Sequence, residues 1–299
     1  MTVVVLAGGT GGAKLARGMA DVVGDELVVI ANTADDIEIH GAHVSPDPDL
    51  VLFWLADRID ARGWGLEGDT FHAMDRLRAA GEEVWFNLGD EDLEIGRDRL
   101  RRLRAGERLT ETFEALRRTL GVRARVLPMS DQPVRTFVDG TPFQEWMIRA
   151  GGRAGELEVG RVEVRGEGTV PQEVAAALAD ARAVIIGPSN PVVSINPILA
   201  VRGMREALRG APAVAVSPFV RGQVLKGPTV QCLRAVGVEP TLEGVAGFYG
   251  DLIDGVVADE RADRVPTLQT NVLMTGAAGR ERLARETLTF ALALRQSRP

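Results

Sequence analysis

Two acidic pairs stand out in this chain of 299 residues. Asn32-Thr33-Ala34-Asp35-Asp36 sets adjacent carboxylates directly after an apolar run. Oxygen donors of that kind suit Mg²⁺, which is often shared with substrate phosphates, although a helix cap uses the same side chains. Ser45-Pro46-Asp47-Pro48-Asp49 holds two carboxylates two residues apart in a stretch stiffened by proline. Asp49 suits an N-cap there, or a reach to a metal or a substrate hydroxyl. A third segment, Gly8-Gly9-Thr10-Gly11-Gly12-Ala13-Lys14, is small enough for backbone amides to approach a phosphate at a helix N-terminus. A tight strand-to-helix turn reads the same way. Its spacing matches neither the Walker pattern nor GxGxxG, so neither ATP nor NAD is indicated. Phe86-Asn87-Leu88-Gly89-Asp90-Glu91-Asp92 is an acidic turn that on its own reads as a cap. Gly187-Pro188-Ser189-Asn190-Pro191, with Ser194 and Asn196, offers hydrogen-bonding side chains for phosphate or nucleobase, and these are also ordinary turn residues.

The elements around these segments point to one architecture. Thr2–Ala7 (TVVVLA) is a continuous apolar run bounded by glycines, as a parallel strand buried on both faces requires. A helical pattern follows from Lys14 to Val23, and Glu26–Ala31 reads as a second strand ending at Asn32. Strand, glycine loop, helix, strand opens a doubly wound, mostly parallel, Rossmann-like α/β sheet with its ligand at the strand C-termini. Ala183–Ile186 and Ala213–Val216 extend that sheet, and Val272–Met274 is expected as its last strand. Leu50–Asp60, Phe71–Ala80 and Leu93–Leu120 have helical apolar spacing. Glu156–Val159 and Arg161–Val164 read as a hairpin through Gly160. Residues from about 50 to 170 are expected to form a largely helical insertion covering the site, within a single domain spanning residues 1–299.

Composition narrows the function classes. At 45% hydrophobic and 26% charged residues the chain can bury a sizeable core. A net charge of −7 provides no global basic field, so nucleic acid is not an expected partner. The basic run Arg97–Arg104 reads as a solvated helix face. Cys232 is the only cysteine, so an intrachain disulfide and a cysteine-rich metal site are excluded, and burial is its expected role. His40, His43 and His72 are too few for a histidine metal site and read as structural or surface residues. The N-terminus reads as a strand, not a signal peptide, and no apolar run reaches the roughly 18 residues a membrane span needs. A soluble, cytoplasmic protein without a membrane partner is expected.

Taken in order, LAGGTGGAKLARGM (6–19), NTADD (32–36), HGAHVSPDPD (40–49), GWGLEGDTF (63–71), WFNLGDEDL (85–93), LPMSDQPVRT (127–136), FQEWMIR (143–149), GPSNPVVSINPIL (187–199) and SPFVRGQVLKGP (217–228) resemble the 2-phospho-L-lactate transferase family (CofD in archaea, FbiA in actinobacteria). The resemblance runs through nearly the whole chain. It implies a Mg²⁺-dependent transferase of coenzyme F420 biosynthesis. Such an enzyme moves a phospholactyl, phosphoenolpyruvyl or phosphoglyceryl group from a guanosine diphosphate ester to the ribityl hydroxyl of the deazaflavin Fo, releasing GMP. By motif position it assigns Gly9, Gly11, Gly12 and Lys14 to the donor phosphates, and Ser189 and Asn190 to the guanylyl part. It assigns Asp35, with Asp36, to the metal, Asp49 to the metal or the Fo hydroxyl, and Asn87 and Asp90 to the surroundings of Fo. A homodimer is the default assembly of such enzymes. The glycine loop reads GGTGGAK where archaeal members have GGTGTPK, which leaves the donor's acid open. Two other readings compete. Nucleotide-sugar-binding regulators of the gluconeogenesis-factor type carry an ADDGGSSG-like motif, whereas Asp36 is followed here by Ile37-Glu38-Ile39-His40. An NAD oxidoreductase would need the missing GxGxxG.

Overall fold

The computed structural model describes residues 1–296. At its centre is a seven-stranded sheet in which every neighbouring pair is parallel. The order is Thr267–Gln269, Gly255–Ala258, Ala213–Val216, Ala181–Ile186, Thr2–Ala7 (β1), Leu27–Ala31 (β2) and Arg125–Pro128. β1 is buried at all six positions, which explains its unbroken apolar run. Val3, Val5 and Ala7 face one core layer, under α1 (Gly9–Val23), α2 (Pro46–Leu55) and the C-terminal helix Gly276–Gln296. Val4 and Leu6 face the other layer, under the Gln172–Ala179 helix and the turn at Pro191–Ile195. With helices on both faces, the fold is the expected doubly wound α/β class.

From β1 the chain winds outward through β2 to Arg125–Pro128, then returns to Ala181–Ile186 on the other side of β1 and winds the opposite way. The switch falls between β1 and Ala181–Ile186, so the loops leaving these two strands open onto one crevice, the place where such sheets bind ligands.

A two-residue hairpin absent from the sequence reading decides what lines that crevice. Ile37–Ile39 (β3) pairs antiparallel with Ala42–Val44 (β4), Ile37 opposite Val44. The turn residues His40 and Gly41 both have positive φ, 52° and 72°, the twist that a tight hairpin requires. The acidic segment ending at Asp36 therefore leaves the hairpin alongside the one beginning at Ser45.

Several expected boundaries move. Val272–Met274 lies outside the sheet and Thr267–Gln269 takes that edge, since three apolar residues look alike in a short strand and in the approach to a helix. Val162–Arg165 pairs with Arg135–Val138, not with residues 156–159, which form no strand. Alternation identified that strand but could not identify its partner. The helical stretch from Leu93 divides into Asp90–Arg104 and Leu109–Thr119, with the break just past the first helix at Gly106, where φ is +94°. Residues 50–170 are not one insertion, because Arg125–Pro128 returns to the sheet beside β2. Among the described residues no helix is long and apolar enough to cross a membrane.

Candidate active site

The two crevice loops touch because their residues are small. Gly8 N–H donates to Ser189 Oγ at 3.2 Å. A Cβ on Gly11 would stand 2.4 Å from the Pro188 carbonyl oxygen, and one on Gly12 would stand 2.7 Å from Ser189 Oγ. Gly9 differs: its φ is +60° and a Cβ there would meet nothing within 4 Å. It places a backbone at the first turn of α1 next to open space, an arrangement suited to a phosphate. Asn190 is engaged in the loop itself, its Oδ1 accepting from Val192 N–H (2.9 Å) and Val193 N–H (3.3 Å) while its buried Nδ2 has no partner. Lys14 lies farther along α1, half-buried, with its Nζ 5.6 Å from the centre of the Trp54 ring.

Asn32, buried at the end of β2, ties the acidic segments together. Its Nδ2 donates to Asp35 Oδ2 (3.1 Å) and Asp47 Oδ2 (2.9 Å), and its Oδ1 accepts the Ala34 N–H (3.0 Å). Asp47 Oδ1 accepts the Gly9 N–H at 2.6 Å. One amide therefore links both carboxylate segments and, through Asp47, the glycine loop. Both carboxylates are buried. Burial holds the Asp35 carboxyl well above its usual range, and the charges of Asp47 and Asp36 add to the rise against Arg135 and Asn32. Burial also pushes Asp47 up to about 6, although the N–H groups of Asn32 and Gly9 favour its charged form. Like charges held this close in an interior favour the arrival of something positive.

The fit to a cation can be judged from the same atoms. Asp35 Oδ1 and Asp36 Oδ1 are buried without partners, while the other Asp36 oxygen lies 3.1 Å from His43 Nε2. Among the described residues no three His, Cys, Asp or Glu side chains are gathered as a preformed metal site. Mg²⁺ is commonly held by one or two carboxylates plus phosphate oxygens and water, and the all-oxygen set here fits that mode.

Asp49, expected at the metal or the acceptor hydroxyl, is engaged elsewhere. It forms a two-point ion pair with Arg99, its Oδ2 accepting from Nη1 at 2.9 Å and its Oδ1 from Nη2, and it also accepts the Ser45 N–H at 3.3 Å. Arg99 is buried, donates to the His43 carbonyl oxygen at 3.0 Å, and lies 4.8 Å from the Phe113 ring centre. Burial pushes the Asp49 carboxyl up against the pull of Arg99, and beside it burial and the charge of Asp49 raise Asp92 to about 7. The carboxylate of this segment turned to the glycine loop is Asp47.

Asn87 and Asp90 bond to no residue of the crevice. Asn87 is exposed and accepts from Arg78 at 2.5 Å. Asp90 accepts from Thr70 Oγ1 (2.6 Å), His72 N–H (2.9 Å) and Ala73 N–H (2.8 Å), and so caps the His72–Ala79 helix. Those donors hold its carboxyl far below the usual range. Asp69 reciprocates, accepting the Glu91 N–H (2.9 Å) and Asp92 N–H (3.1 Å). The cap reading of this acidic turn is the one the geometry expresses. Cys232 is buried and its thiol is pushed up to about 12, unsuited to nucleophilic chemistry.

The profile of the family described as 2-phospho-L-lactate transferase CofD matches residues 3–279. A 2-phospho-L-lactate transferase of Methanosarcina mazei is 38% identical over 266 residues, covering 86% of this chain and 87% of that protein. Another, from Methanocaldococcus jannaschii, is 35% identical over an aligned length of 308 residues, covering 96% and 97%. A phosphoenolpyruvate transferase of Mycolicibacterium smegmatis is 36% identical over an aligned length of 315 residues, covering 93% and 96%. Among solved structures, a UPF0052-family protein from Bacillus halodurans superposes with a TM-score of 0.60 at 17% identity, covering 96% of this chain and all of that one, a likeness of fold alone. A family profile matching nearly the whole length, with close relatives of matching span, places the chain in the 2-phospho-L-lactate transferase CofD family.

Proposed function

We propose that this chain transfers a phospho-acid group from a guanosine diphosphate ester to the terminal ribityl hydroxyl of Fo and releases GMP. The observation that carries the reading furthest is the Asn32 bridge, which sets two buried carboxylates against the glycine loop at the sheet's switch point, one of them bonded to the Gly9 N–H. Curated relatives act on phospholactyl and phosphoenolpyruvyl groups, as their names say, and the regulatory alternative has no such support.

In this reading the donor's phosphates lie along the first turn of α1, where Gly9 leaves room and the helix N-terminus favours negative charge. The hydroxyl oxygen of Fo forms a bond to the acid-bearing phosphorus as the bond from that phosphorus to the GMP oxygen breaks. Asp35, with Asp36, would hold Mg²⁺, which supplies charge neutralisation on the phosphate oxygens when bound. Asp47, fixed by Asn32 and Gly9, is placed to accept the hydroxyl proton. Positioning and charge account for most of catalysis in such transfers.

The test is incubation of the purified protein with Fo, Mg²⁺ and each of the lactyl, enolpyruvyl and glyceryl donors in turn, with mass spectrometry for the deazaflavin product and GMP. One donor giving both products establishes the reaction and its acid. The absence of product from all three, with tight binding of a nucleotide sugar, would overturn the reading.

A further inference from the structure

The chain contains 33 arginines and only two lysines, Lys14 and Lys226, and the fold brings both to one place. Lys14 Nζ lies over the Trp54 ring, and Arg280 Cζ sits 5.2 Å from the centre of the same ring. Lys226 Nζ is 5.5 Å from the centre of the Trp64 ring. Burial, then the charges of Lys226 and Arg280, lower the Lys14 ammonium from its ordinary value. Among the described residues none of the three has an ion-pair partner, and the buried Nε of Arg280 and Nε1 of Trp54 have no hydrogen-bond partner. Most arginines elsewhere pair with carboxylates, as Arg58 does with Glu91 and Arg108 with Glu173. Three unpaired cations in a chain of net charge −7 repel one another unless an anion joins them.

The packing that creates this cluster is specific. Gly18 on α1 lets the C-terminal helix approach so closely that a Cβ there would stand 2.4 Å from the Arg280 carbonyl oxygen, which sets Arg280 beside Lys14. A Cβ on Gly63 would lie 3.9 Å from Thr10 Cγ2, so the loop carrying Trp64 passes over the first turn of α1. Lys14 follows that turn on the same helix, and helical side chains lean toward the helix N-terminus. Lysine is a compact charge with three rotatable donors, suited to phosphate oxygens.

We propose that Lys14, Lys226 and Arg280 form a subsite for the terminal phosphate of a guanosine diphosphate and the acid attached to it, apart from the loop at Ser189 and Asn190. The subsite rests on the transferase reading for the identity of its ligand. Calorimetric titration of the full chain with GDP, GMP and inorganic pyrophosphate tests it, in wild type and in Lys226→Ala, Lys226→Arg and Arg280→Ala. Lys226 is exposed, so its variants should fold. The expected result is a loss of about tenfold in affinity for GDP and pyrophosphate in Lys226→Ala and Arg280→Ala, GMP binding within about twofold, and recovery in Lys226→Arg. Unchanged GDP and pyrophosphate binding, or an equal loss for GMP, overturns the subsite. Transfer to Fo separates the two readings. The GDP and pyrophosphate losses in the variants, together with no transfer by wild type from any donor, sink the reaction and leave the subsite standing. Transfer in Lys226→Ala with unaltered KM for the donor sinks the subsite and leaves the reaction standing.

Discussion

The Asp49–Arg99 pair gives the sharpest test of how this site is built. In Asp49→Ala the Arg99 guanidinium keeps one hydrogen bond of three, that to the His43 carbonyl oxygen, and remains buried. Leaving such a charge uncompensated costs about 3–5 kcal/mol, about a fifth or more of the roughly 5–15 kcal/mol that usually separates folded from unfolded domains. For a chain of this size that corresponds to a fall in Tm of about 10 °C. Arg99→Met leaves the carboxylate buried instead, and because burial already pushes that carboxyl up, protonation recovers part of the loss at low pH. Asp49→Ala with Arg99→Met removes both charges, so neither is left buried alone, and the double variant should lose far less than the two single losses added. Urea unfolding followed by tryptophan fluorescence, arranged as a double-mutant cycle, measures this. A loss below about 1 kcal/mol in Asp49→Ala, or additive single losses, would refute the structural role. Transfer activity in the double variant then separates the roles: retained activity makes Asp49 a support, and activity lost in a stable protein returns it to the substrate.

Asp47 should behave in the opposite sense. Its folded value, about 6, lies above the ordinary carboxyl value of about 3.9, so its contribution is fully present below pH ~4 and is lost as pH rises through 6. Asp47→Asn should match wild type in stability at pH 4, exceed it by about 2–3 kcal/mol at pH 8 without metal, and lose transfer. Urea midpoints at the two pH values check this, and a pH-independent difference would contradict it. Gly11→Ala drives a methyl into the Pro188 carbonyl oxygen and should cost about 1–3 kcal/mol with weakened GDP binding, measured by thermal unfolding with and without the nucleotide. Asp69→Ala removes the acceptor for the amides of Glu91 and Asp92 and should lower stability by about 1 kcal/mol while GDP affinity stays near wild type. Cys232 should resist a thiol reagent in the folded protein and react at once in urea, because burial keeps its thiol protonated.

Sequence alone determined the sheet class and most of its strands, because parallel strands buried on both faces must be apolar throughout and their ends are marked by glycine, proline and asparagine. It also located the glycine loop and the two acidic segments, since residue type and position along the chain are local properties. Which carboxylate faces the crevice was not legible. Asp47 and Asp49 differ by two positions in the first turn of α2, and only the pairing of β3 with β4 and the arrival of Arg99 from a distant helix turn one to Gly9 and bury the other in an ion pair. His40-Gly41 between short alternating runs was the available signal for that hairpin. Arg99 was hidden because seven neighbours in its basic run include other arginines that do pair at the surface, and a charge pattern does not show which member points inward. The meeting of Lys14, Lys226 and Arg280 was equally beyond reach, for residues more than two hundred positions apart become neighbours only when helices cross at Gly18 and loops close over α1. Local chemistry follows from the chain, whereas convergence follows from packing, because burial and long-range contact are properties of the folded whole.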